Sequence, residues 1–217
     1  MRLQCFGIAV SAWLAASQAA AAALSPAEIA KLCSEAEGQS HCGRLVEAEQ
    51  MKRLPGLALR DGNTLRITLF PGGHATFSDE ETTSGGTSYA LWDHYSAINA
   101  TLLFTTHDDD SRFVLLQRST GKQTVLPAAP ALSPDRQRLA TADFCETRCE
   151  NRLAVWRITA NGAVPELQWR PPQAWSDAGV TWKDANTLVI EYALPDATEG
   201  KTLERRLNDP SWQPAPR

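Results

Sequence analysis

From Leu57 onward the chain alternates apolar and polar residues with a period of two, and turn-forming residues break the alternation at short, even intervals. Leu65, Ile67 and Leu69 alternate with Thr64, Arg66 and Thr68, and Pro71-Gly72-Gly73 turns the chain toward Ala75-Thr76-Phe77. The same reading predicts strands at Tyr89–Tyr95, Ala100–Thr106, Arg112–Arg118, Gln123–Leu126, Arg138–Ala142, Leu153–Thr159, Ala163–Trp169, Thr187–Leu194 and Lys201–Leu207. Turn signals separate them at Asp108-Asp109-Asp110, Thr120-Gly121, Ser133-Pro134-Asp135, Asn161-Gly162 and Asp184-Ala185-Asn186. Asn161-Gly162 predicts a tight primed turn with positive φ at both positions. Leu153 and Val155 are apolar on one strand face, and Ala154, Trp156 and Ile158 on the other. Roughly ten short strands at even spacing point to a sandwich, barrel or propeller, and those apolar on both faces must be covered on both, as in stacked sheets.

Upstream of Leu57 the signals are helical. Ser25 can cap a helix that begins at Pro26, with Glu28 placed to complete a capping box, and Ile29, Leu32 and Cys33 share one face. A second helix is predicted from about Cys42 to Leu54, where Leu45, Val46, Glu49 and Lys52 show helical spacing and Pro55-Gly56 ends the run. The expected division is a leader over 1–23, a helical cap over 24–56, a β-meander domain over 57–209 and a disordered tail over 210–217.

Arg2, the apolar centre from Phe6 to Leu14 and the small residues from Ser17 to Ala23 read as an export signal cleaved after Ala23. Ser11, Ser17 and Gln18 interrupt the alternative, an uncleaved anchor, so no integral span is expected after cleavage. Cleavage also removes Cys5 and leaves Cys33, Cys42, Cys145 and Cys149. In an oxidising compartment these four predict two disulfides, and the local pairs Cys33–Cys42 and Cys145–Cys149 are favoured over the other connectivities. Zinc would need thiolates from two distant segments at spacings of no common zinc pattern. Cys145-Glu-Thr-Arg-Cys149 has one residue too many between its thiols for an exchange motif.

Residues 130–142, Pro-Ala-Leu-Ser-Pro-Asp-Arg-Gln-Arg-Leu-Ala-Thr-Ala, followed by Leu153-Ala-Val-Trp-Arg157, resemble the blade pattern of WD-repeat and Tol-type periplasmic propellers. A second copy of the pattern begins at Val180-Thr-Trp-Lys-Asp184 and runs through Asn186–Tyr192. The resemblance implies a mainly β fold, an antiparallel meander of propeller-like blades, as a closed or an incomplete ring, with the short helical hairpin at its N-terminus. Arg136 stands where that pattern has glycine.

The chain offers few chemical groups in catalytic patterns. No Gly-x-Ser-x-Gly elbow, His-Glu-x-x-His helix or phosphate-cradling glycine loop with lysine occurs, so no cofactor or metal is expected. Thr83–Ser88 reads as a flexible loop. With 21 basic against 25 acidic residues and no basic cluster, nucleic acid is not an expected partner. The binding candidates are Trp92, Asp93 and His94, where aromatic rings beside polar groups suit sugar or peptide contacts, and His107, Asp108 and Asp110 in an oxygen-rich turn. Two functions remain open: an exported non-catalytic module that binds an envelope or extracellular protein, peptide or glycan, and a small envelope hydrolase using His94 or His107 with Asp93 or Asp108–Asp110.

Overall fold

The computed structural model describes residues 24–82, 85–108 and 110–212. The predicted leader therefore lies outside the described residues. Among the described residues, two α-helices, α1 (Pro26–Cys33) and α2 (Gln39–Arg53), precede fifteen strands that form four antiparallel sheets in chain order. The first sheet holds β1 (Ala58–Asp61), β2 (Thr64–Thr68) and β3 (His74–Ser78). The second holds β4 (Glu80–Thr82), β5 (Gly85–Tyr95), β6 (Ala100–His107), β7 (Asp110–Gln117) and β8 (Lys122–Leu126). The third holds β9 (Ala131–Leu132), β10 (Arg138–Asp143), β11 (Arg152–Thr159) and β12 (Gly162–Trp169). The fourth holds β13 (Asp177–Asp184), β14 (Thr187–Ala193) and β15 (Lys201–Arg206). Every strand pairs with its neighbour in sequence, so each sheet is a plain meander.

Strand alternation decides how these sheets pack. One face of the second sheet puts Leu91, Leu103, Val114 and Leu116 against Leu65, Ile67 and Phe77 of the first. Its other face puts Leu102, Phe104, Phe113 and Leu115 against Leu139 and Ala163 of the third. The third sheet then turns Leu153, Val155 and Trp169 toward Leu188 and Ile190 of the fourth. The two apolar faces of β11 are thus buried on opposite sides: Leu153 and Val155 toward the fourth sheet, Trp156 and Ile158 toward the second.

Packing stops at both ends because the outermost faces are mostly polar. On the first sheet the outward row pairs Leu59, Arg66 and Thr76, and on the last Gly179, Glu191 and Thr202, all exposed apart from the strand-edge variation of their neighbours. Such faces gain little by being brought together. Among the described residues no apolar cluster joins the fourth sheet to the first.

The helical hairpin forms largely where the sequence puts it, and its role follows from what it covers. Ser25 and Glu28 make the reciprocal capping box, and Cys33–Cys42 joins the two helices. However, α2 starts at Gln39 rather than Cys42, and its buried residues are Gly43, Val46, Glu47 and Gln50. Two of these are polar because α2 lies along the edge of β5 beyond the short pairing with β4. That edge carries backbone groups that need partners. Glu47 accepts from the Leu91 N–H at 2.9 Å, and the Gln50 side-chain amide donates to the Trp92 carbonyl at 2.7 Å. The close fit also selects glycine at 43, where a Cβ would sit 3.0 Å from the Phe104 ring and 3.2 Å from Ala90.

Three local details differ from the sequence reading. At Asn161-Gly162 φ is positive only at Gly162, and Thr159 pairs with Gly162, so Ala160 and Asn161 form the turn and glycine follows it. The turn is a two-residue hairpin loop followed by a glycine at φ 111°, with Gly162 packed close to the Thr124 hydroxyl of β8. Gly85–Ser88, read as loop, begins β5 and pairs with β4 and β6. Trp212, placed in the tail, packs edge-on against Trp169 and donates its indole N–H to the Arg206 carbonyl at 2.6 Å. At Ser133-Pro134-Asp135-Arg136 the expected turn is present: the Ser133 hydroxyl donates to Asp135 at 2.6 Å, and Arg136 takes φ 62°, the left-handed backbone that glycine would adopt without strain.

Candidate functional site

The β6–β7 turn gathers the candidate site. His107 pairs with Asp110, and Asp108 takes φ 54°, a left-handed conformation tolerated by a short aspartate side chain. The Asp108 amide donates to the Gly86 carbonyl of β5 at 3.0 Å, which fixes the turn against the neighbouring strand. On one side of Asp108 a cavity of about 410 Å³ is lined by His107, Asp108, Asp110 and Arg148. Arg148 comes from the loop closed by the Cys145–Cys149 disulfide, so this staple holds a residue of the third sheet's loop beside a turn of the second.

On the other side of Asp108 lies a second cleft, also of about 410 Å³. Its wall is built by Ser40 and Arg44 of α2, Asn63 of the β1–β2 turn, Asp79 and Glu80, Ser88 of β5 and Thr106 of β6. The Ser40 hydroxyl donates to Ser88 at 2.9 Å, and Ser88 and Thr106 share a hydrogen bond of 2.7 Å across the β5–β6 pair. Arg44 pairs with Asp79, and its guanidinium also donates to the Tyr89 carbonyl at 2.8 Å. Asp79 in turn accepts from the Tyr89 N–H at 2.8 Å and from Arg60 at 3.3 Å. The floor of the cleft is therefore a fixed network of charge-assisted bonds, whereas Glu80 at its rim is exposed.

Trp92, Asp93 and His94 lie elsewhere. A bulge between Leu91 and Asp93 directs Trp92 onto Phe104 and Phe113, at ring-centre distances of 5.1 and 5.4 Å, so Trp92 is part of the core between the second and third sheets. Asp93 accepts from the His94 backbone N–H at 2.7 Å, and burial pushes its carboxyl above the usual range. The His94 Nδ1 lies 2.9 Å from the Ala100 carbonyl. Burial first, and the nearby Arg118 charge second, push its imidazole below its ordinary value. His94 pairs with Thr101 and His107 with Thr87, which places the two residues' backbone positions about 20 Å apart along the sheet.

The six candidates consequently divide into two groups. His107, Asp108 and Asp110 line one cavity, and Trp92, Asp93 and His94 stand at the opposite end of β5. The His107 Nε2 is 3.8 Å from the Asp108 carboxylate, and both side chains are largely exposed. His107 Nδ1 instead bonds the Thr87 hydroxyl at 2.9 Å. Among the described residues no group of three His, Cys, Asp or Glu side chains is placed to hold a metal ion. Sequence reasoning missed Arg148 and the whole Ser40–Arg44–Asp79 cleft, since helix, turn and strand residues far apart in the chain meet there. A further opening of about 790 Å³ lies at the opposite end of the stack, between the third and fourth sheets, but Arg138 and Glu166 in its lining are bonded to each other at 2.9 Å.

Compared with known proteins, the chain matches no family model, no curated protein and no solved structure.

Proposed function

We propose that this chain is an exported, non-catalytic binding module that takes a protein, peptide or envelope glycan at the β6–β7 end of its sheet stack. The observation that carries this reading is the meeting of two clefts at Asp108, built from α2, the first two sheets and the disulfide-closed loop of the third. Their volumes fall within the range of ordinary ligand sites, and loops held at one end of a rigid scaffold are common places for recognition. The His94 Nδ1 bonds the Ala100 carbonyl and the His107 Nδ1 the Thr87 hydroxyl, and His107 lies 3.8 Å from the Asp108 carboxylate, so the hydrolase alternative gains little support.

Export is part of the proposal. The two disulfides favour an oxidising compartment, and among the described residues no helix is long and apolar enough to cross a membrane. The four meanders would be the blades of an incomplete propeller, kept open by the polar faces of the first and last sheets.

Capture from an envelope extract tests the reading, using oxidised protein beginning at Leu24. Asp108→Arg, which obstructs the shared wall of both clefts, should abolish capture, and Asn186→Arg at the opposite end should leave it intact. Capture insensitive to Asp108→Arg, or lost equally in both variants, would overturn the assignment of the binding end.

A further inference from the structure

Resting on the binding-module reading, we infer that the cleft between α2 and the β5–β6 pair takes an uncharged saccharide. Three features of its lining lead there. The first is the absence of an apolar anchor among the described residues: the lining offers the hydroxyls of Ser40, Ser88 and Thr106, the amide of Asn63 and the carboxylates of Glu80 and Asp108. A peptide or lipid held by apolar side chains would find no complementary surface in it.

The second is charge. The guanidinium of Arg44 is already matched by Asp79 and by Glu47 at 3.2 Å, which leaves the carboxylates of Glu80 and Asp108 at the rim. An anionic ligand would face them with no free cation among the described residues of the lining. Sugar hydroxyls can instead donate to those carboxylates, and such bonds are stronger than neutral ones.

The third is the hydroxyl relay. Ser40, Ser88 and Thr106 are linked by bonds of 2.9 and 2.7 Å, and each hydroxyl keeps acceptor capacity beyond its place in the chain. A row of linked hydroxyls both donates and accepts, matching a ligand whose own hydroxyls do the same. Extended peptide addition along the adjacent edge of β5 is closed off, because Asp79 and Arg44 hold the Tyr89 backbone, Glu47 holds the Leu91 amide and Gln50 the Trp92 carbonyl. Sugar recognition needs no such edge.

The test titrates isotope-labelled, oxidised protein beginning at Leu24 with chitotriose, maltotriose and cellotriose, alongside trialanine amide as a peptide control. At least one saccharide should shift the amides of Gly86, Thr87, Ser88 and Thr106 saturably, while the Trp212 indole stays fixed. Glu80→Gln and Ser88→Ala should each weaken that binding by about tenfold. Both variants must retain the wild-type amide spectrum outside the cleft, and Thr202→Ala, on the outer face of the last sheet, should bind as wild type. Failure of all three saccharides, or binding by both variants as tight as that of the wild type, would overturn the inference. If trialanine amide alone shifts the cleft, the ligand class is wrong and the binding-module reading stands. If no saccharide or peptide binds and the envelope capture also fails, both fall.

Discussion

The Glu47 carboxylate receives two bonds from Arg60, at 2.9 and 2.8 Å, and a third from the Leu91 amide at 2.9 Å, while its side chain is only 4% exposed. One helical side chain thereby ties α2 to the first sheet and to the free edge of the second. Removing it leaves a buried backbone N–H without its acceptor and strips Arg60 of two bonds, leaving its guanidinium only Asp79 and the Tyr89 carbonyl. Glu47→Ala should cost about 3 kcal/mol in urea unfolding, whereas Lys52→Ala, which removes an exposed ion pair with Glu49, should change stability by less than about 0.5 kcal/mol. Equal effects would show that α2 is not fastened through this carboxylate.

Glycine at 43 has a packing role that helix propensity alone would not reveal. Alanine is the better helix former by about 1 kcal/mol, yet its Cβ would press against Phe104 and Ala90. Gly43→Ala should therefore lower stability by about 1–2 kcal/mol. Arg136→Gly should act in the opposite direction and raise it by about 0.5–1 kcal/mol, because Arg136 already occupies a left-handed backbone conformation. Thermal unfolding of the two variants checks both signs.

Strand spacing was legible in the sequence for a simple reason: in stacked meanders each strand alternates toward one neighbour or two, and Leu153–Ile158 displays both buried faces directly. The two-residue β9 and three-residue β4 are too short to show a period. Likewise, the buried face of α2 does not show in the sequence, because a helix that seals a sheet edge buries Glu47 and Gln50 where an amphipathic pattern expects apolar residues. The candidate site was legible only at His107, Asp108 and Asp110. Arg148, Ser40, Arg44 and Asp79 reach it through tertiary contacts that no local spacing encodes.

The buried hydroxyl of Thr101, on the strand opposite His94, has no hydrogen-bond partner among the described residues. Replacing it with a methyl group of similar shape removes the cost of keeping a polar atom there. Thr101→Val should raise stability by about 1 kcal/mol. A loss of stability would place an ordered water or another partner on that hydroxyl.

Acid sensitivity should include a contribution from His94. Its imidazole is lowered in the folded chain, so below about pH 6.5 the unfolded chain takes up the proton more readily and folding loses stability as the pH falls. Asp93 has the opposite sign: its carboxyl is raised, and its charged form weighs against folding at neutral pH. His94→Gln should flatten the fall in stability between pH 7 and 5, and Asp93→Asn should stabilise the protein at pH 7. An NMR titration that puts the His94 midpoint at or above 6.5 would remove the basis of the first expectation.

Hydrogen–deuterium exchange on oxidised protein beginning at Leu24, compared with and without a fractionated envelope extract that it captures, tests the binding end most directly. Slowed exchange is expected at Gly86–Ser88, Thr106–Asp108 and Cys145–Cys149, with no change at Asp184–Thr187. Protection confined to Asp184–Thr187, or none anywhere, would contradict the account.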